Sequence, residues 1–268
     1  MIEAIHFLVA PAVLALLLVG IHAYLGLHVL TRDVIFVDIG LSQVAALGAA
    51  ISMFFVPEGE GRLSIFCSLG LCLVVALVLA LLRRFEKKLS QEVLIGMTYA
   101  LASGLLILVA DKLPHGTEHL KHALIGNILF VSWEQVLETF VIYAVVGAIH
   151  WMFRKQFWAS SRAESGSFFW DFFFYVLFGV VITFSTHHAG VLVVFAVLVA
   201  PAALASRFFR SMSARLVWSW LLGVLGVLAA FLISYIYDFP AGAAIVTVLT
   251  AGFFGVLFSA QLFERIKR

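Results

Sequence analysis

Long apolar runs separated by short polar gaps dominate this chain. About nine of them are helix-length: Phe7 to Leu30, Val34 to Val56, Leu63 to Leu82, Val93 to Ala110, Val136 to Phe153, Phe168 to Thr186, Ala189 to Ser206, Leu216 to Tyr237 and Ala241 to Ala260. A helix needs roughly 20 apolar residues to cross bilayer hydrocarbon, and several runs reach that length. A further run, Ala123 to Val131, is too short to span and predicts a half-helix or interfacial helix. The expected fold is all-α: a polytopic transmembrane helical bundle of about nine segments with a short extra half-helix on the outer face. No polar tract is long enough to fold alone, so residues 1–268 are expected to form a single transmembrane domain.

Composition supports this picture. With 63% hydrophobic and 12% charged residues, the chain has too little polar surface to clothe a soluble globule. Its first run is too long for a signal-peptide core and has no basic residue before it, so it is expected to stay in the mature protein. Charge adds orientation. Of the 17 basic residues, 14 fall in alternate gaps: Arg32; Arg83, Arg84, Lys87 and Lys88; Arg154, Lys155 and Arg162; Arg207, Arg210 and Arg215; Arg265, Lys267 and Arg268. The other gaps hold only Arg62, Lys112 and Lys121. Basic loops stay in the cytoplasm, which predicts an amino terminus outside and a carboxyl terminus inside. A net charge of +2 implies no nucleic-acid partner. Cys67 and Cys72 lack Cys-x-x-Cys spacing and read as soft packing residues.

Candidate chemistry falls in two places. His115, Glu118, His119 and His122, on the side expected to be outer, would share one face if helical. Imidazole and carboxylate suit zinc, manganese or iron, so the cluster can be read as a divalent-metal site or as a solvated interfacial helix with incidental histidines. Within the membrane, a polar group needs a reason. If the first two runs form a hairpin around Arg32, His22 lies at a depth near Asp38, Ser42 and Gln43, and Asp38 and Ser42 share a helical face. These four could line a cation pathway or fasten the bundle by inter-helix hydrogen bonds. His28 reads as structural, while Asn127, Glu134, Glu138, His150 and Asp171 lie near interfaces where solvation accounts for them. No Gly-x-x-x-x-Gly-Lys-Ser/Thr phosphate loop is present, so an ATP-driven role by that route requires a second protein.

Four blocks, Asp33 to Gly48, Gln91 to Leu105, Gly190 to Phe209 and Tyr235 to Val246, resemble the permease subunits of bacterial zinc, manganese and iron ABC importers. The third block, a Gly-led apolar run ending in Pro-Ala-Ala and a basic residue, and the Tyr-Asp-x-Pro-x-Gly of the fourth carry most of the likeness. The resemblance implies a transport subunit, not an enzyme, in the bacterial cytoplasmic (inner) membrane. Its implied partners are a second permease copy, a dimer of cytoplasmic ATPase subunits and an extracytoplasmic metal-binding protein. It implies no permanently bound cofactor, with the divalent metal ion or chelate as cargo. Pro201 to Arg215, including Arg207 and Arg210, would be the segment coupled to the ATPase. The chain departs from the family at the second run, where relatives carry an Asp and, four residues on, a His implicated in the metal path. Here those positions hold Ile39 and Gln43, with Asp38 displaced by one residue. One residue is about 100° around a helix, so Asp38 cannot simply inherit the role.

Two other classes match parts of the sequence. A proton-coupled secondary transporter would need no ATPase. A membrane di-iron oxidase is suggested by the His115–His119 pair and adjacent His187 and His188, but such sites use about eight clustered histidines on the cytoplasmic side, more than this arrangement supplies.

Overall fold

The computed structural model describes the backbone of residues 2–56, 62–85, 89–114, 116–162, 164 and 167–266, with side chains over the same ranges except 2–8, 84–85, 119, 122, 264 and 266. Among these residues the chain forms α1 (Ile2–Thr31), α2 (Val37–Ser52), α3 (Arg62–Phe85), α4 (Gln91–Ala110), α5 (Gly116–Ile125), a 3-10 turn (Ile128–Phe130), α6 (Trp133–Met152), α7 (Arg154–Ser161), α8 (Phe168–Ala189), α9 (Val191–Phe208), α10 (Met212–Tyr237) and α11 (Ala241–Ile266). All but α2, α5 and α7 are long and apolar enough to cross a membrane, which makes eight spans. The helical bundle expected from the apolar runs is therefore observed, with the second run as its exception.

That run yields a helix of only 16 residues, about 24 Å long against a hydrocarbon core of about 30 Å. Its length is tolerable because it is central: α3, α4 and α8 pack around it and nearly every residue is buried. Gly48 lets it lie against the backbone of α3, where a Cβ would collide with Ser68, whose hydroxyl donates to the Ala45 carbonyl at 2.7 Å. Lipid supplies no hydrophobic drive between helices, so such small-residue contacts and polar bonds assume more of the packing.

α1, α8 and α9 are the other inner helices. Two thirds of the α1 span is buried (67%), against 22% of α4. The outer helices α3, α4, α6, α10 and α11 present Leu, Val and Phe outward, where a bilayer covers them. The expected α1–α2 hairpin does not form. Asp33 takes a left-handed conformation (φ 54°) and redirects the chain, so α1 packs mainly on α9 and α10 while α2 packs on α3 and α4.

The 123–131 run, expected as one half-helix, is instead broken at Gly126 and Asn127 into the end of α5 and the 3-10 turn. It is anchored by a backbone bond from Asn127 to the His188 carbonyl (3.2 Å) and by the apposition of Gly126 (φ 70°) and Gly190 (φ 81°). A Cβ on either glycine would strike the other segment's backbone.

Candidate functional site

α1, α6 and α8 meet at a neutral polar layer inside the bundle. The His22 ring is fully buried, and its Nδ1 lies 2.9 Å from the Leu18 carbonyl. A carbonyl can only accept, so Nδ1 carries the proton and Nε2 keeps its lone pair. Nε2 faces the Ser185 hydroxyl at 3.2 Å; that hydroxyl also lies 2.5 Å from the Tyr143 hydroxyl and from the Val181 carbonyl. Ser185 has one proton for two acceptors, Val181 O and His22 Nε2. The imidazole lone pair is therefore incompletely used, and it is the type of donor a divalent metal takes.

The next residue on α8 extends the layer to α2: Thr186 donates to the Ser42 hydroxyl at 3.1 Å. His22 and Ser42, which the hairpin reading set face to face, are joined instead through consecutive residues of α8. Gln43 is buried beside Ser42. Asp38, one turn before Ser42, is fully buried, and neither carboxylate oxygen has a hydrogen-bond partner in the structure. Such a group is expensive in an apolar interior unless a cation or proton visits it. Tyr143, Ser185 and Thr186 were not singled out from the sequence as members of this layer. The apolar run that closes at Thr186 continues as helix: α8 extends to Ala189 and breaks only at Gly190.

The outer cluster is mostly outside the described residues: His115 altogether, and the side chains of His119 and His122. Glu118 is exposed on α5. Among the described residues no group of three or more His, Cys, Asp or Glu side chains is placed to hold a metal. Cys72 is free and buried, its thiol 3.6 Å from the Leu41 carbonyl, in keeping with a packing role.

A second cluster occupies the end of the bundle that carries Arg32. The guanidinium side chain is fully buried and reaches Ser161 (Nε, 3.0 Å), Asp171 (Nη1, 2.9 Å) and Ser160 (Nη2, 2.9 Å), lying 4.0 Å from the Phe174 ring centroid. Arg83 reaches the same Asp171 oxygen at 2.8 Å. Burial pulls the Arg32 guanidinium below its usual range, and the neighbouring Tyr175 and Asp171 oppose that shift. His28 Nδ1 is 2.8 Å from Ser161 Oγ, and its ring stacks on Trp158; His150 stacks on Phe157. Solvation does not explain Asp171 or His150. Asp171 serves two arginines, and His150 is 1% exposed.

At the α9–α10 junction, Arg207 and Arg210 are exposed, and Arg215 donates from Nε to the Phe209 carbonyl at 2.9 Å. Pro201 is buried within α9, about two turns inside the junction.

Spanning helices wrapped around a buried polar layer define a multi-pass α-helical membrane protein. The chain belongs to the ABC 3 transport family, whose model matches residues 4–260. It is 26% identical to the manganese transport system membrane protein MntC of Listeria monocytogenes, with 88% of each chain covered. It is 25% identical to the high-affinity zinc uptake system membrane protein ZnuB of Haemophilus influenzae, covering 95% of this chain and 97% of that one. Its fold is similar to a chain in the structure of PsaBC from Streptococcus pneumoniae in complex with Fab, with a TM-score of 0.78, 22% identity and coverage of 98% and 96%.

Proposed function

We propose that this chain is the membrane-spanning permease of an ATP-driven importer for a divalent metal ion or metal chelate. The family match across residues 4–260, together with a buried polar layer in a lipid-facing bundle, carries the reading. Relatives named for manganese and for zinc transport support the cargo class and leave the metal open. A bare divalent ion cannot cross hydrocarbon unaided, so the cargo must meet ligands or water along its way. His22, Asp38, Ser42 and Gln43, with Tyr143, Ser185 and Thr186, supply imidazole, carboxylate, amide and hydroxyl groups for that passage.

In this reading two copies of the chain pair in the bacterial cytoplasmic membrane, amino termini outside and carboxyl termini inside. ATPase subunits dock at the α9–α10 junction through Arg207, Arg210 and Arg215, and a metal-binding protein delivers cargo at the opposite face. ATP binding rocks the inner helices so that the polar layer opens first outward, then inward.

Co-reconstitution with the cognate ATPase and binding protein tests this. Zinc, manganese or ferrous iron should accumulate in vesicles only with ATP, and the same metal should stimulate hydrolysis. Accumulation driven by a proton gradient without the ATPase would replace the reading with a secondary transporter.

A further inference from the structure

We propose that the basic cleft between α7 and the start of α10 binds the headgroup of an anionic phospholipid. The cleft encloses about 380 Å³ and is lined by Arg154, Lys155, Trp158, Arg162, Glu164 and Met212, three cations against one carboxylate. The Arg162–Glu164 pair is loose, 3.8 Å apart with both side chains more than half exposed, so an incoming phosphate can displace the carboxylate. α7 is held in place from below by Phe157, Ser160 and Ser161, all buried, which turns its basic residues outward.

An apolar track leads to the cleft. Leu137, Val141, Val145 and Met152 recur at spacings of four and seven on α6 and are 62%, 51%, 54% and 66% exposed. The track ends at Trp151, 71% exposed, whose ring lies 4.7 Å from the Arg154 guanidinium. An indole with a basic side chain over it is the arrangement found where hydrocarbon gives way to headgroups. A phospholipid uses both features at once, acyl chain on α6 and phosphate among the cations; a protein partner would use only the charge. Basic pockets between spanning helices on the cytoplasmic side favour anionic headgroups.

The test is independent of the transport reading, because it measures lipid retention by the full-length permease alone in detergent. Phosphatidylglycerol, but not phosphatidylcholine, should be retained in native mass spectrometry and should raise the unfolding temperature. R154Q/K155Q/R162Q should weaken retention roughly five-fold per charge removed. R154K/R162K should keep it, as should K112Q, which alters an exposed lysine remote from the cleft. Equal retention of the two lipids by the wild-type protein would overturn the proposal, whether or not the triple variant folds. Equal protection by inorganic phosphate at matched concentration would reassign the cleft as a simple anion site. Full lipid retention by a folded triple variant would likewise overturn it.

Discussion

The neutral layer around His22 and the ionic cluster around Arg32 are both buried and polar, yet they are completed to different degrees. Each nitrogen of the Arg32 guanidinium has a partner, and the carboxylate of Asp171 is shared with Arg83. In the His22 layer one Ser185 proton serves two acceptors, and both oxygens of Asp38 have none. In the Arg32 cluster the ion-pair set is saturated, although Nε2 of the neighbouring His28 and of His150 has no partner. A saturated ion-pair set fixes geometry, because moving any member leaves a buried charge unpaired. An unsaturated one keeps donors in reserve for a passing ion. The two clusters both draw on α1 or its end and on α8, so the difference lies in the partners that α2 and α6 supply to the first and α3 and α7 to the second.

Asp171→Asn breaks the comparison at its firmest point. It leaves Arg32 buried without its counter-charge and should cost about 3–5 kcal/mol, read as a fall in thermal stability in detergent. A loss under about 1 kcal/mol would mean that the cluster does not hold the helix ends together. His22→Leu should do the reverse. Ser185 keeps Val181 and Tyr143 as partners, so stability should barely change while metal accumulation falls about ten-fold or more. Unchanged accumulation would remove His22 from the path.

Tyr143→Phe sharpens the contrast by removing one hydroxyl from the layer. About 1 kcal/mol of stability should be lost, with transport reduced less than by His22→Leu. A small stability effect is also expected for Asp38→Asn, which is nearly isosteric and deletes an unpartnered carboxylate. Stability should stay within about 1 kcal/mol or rise, while uptake declines. A large destabilisation would show that Asp38 is a structural residue.

Much of the bundle was legible from the apolar runs. The Ser-x-x-Gln start of α6 forms a capping box, with Ser132 and Gln135 bonding reciprocally. α2 was less legible, because hydropathy measures a run's apolar content but not which neighbours surround it. The 34–56 run reads like any other span, and only packing shows its helix to be short and central. Asp171 was misjudged for a related reason. Its place near a helix end suggested solvent, but Arg32 lies 139 positions away in sequence, a pairing that no local pattern encodes. Ser185 and Thr186 carry a signal in the sequence, hydroxyls at the close of an apolar run, but only the packing of α8 against α1 and α2 side chains shows what they bond.

By itself the sequence determined a helical membrane protein, the alternation of its basic loops and the family blocks, because hydrophobic length and charge are properties each segment carries with it. Only the tertiary structure decided that His22 meets Ser42 by way of α8, that Arg32 and Arg83 share one carboxylate, and that Asp38 is left without a partner. Those outcomes depend on which helices become neighbours, and inside a bilayer that choice is set by close packing and polar pairing between distant parts of the chain.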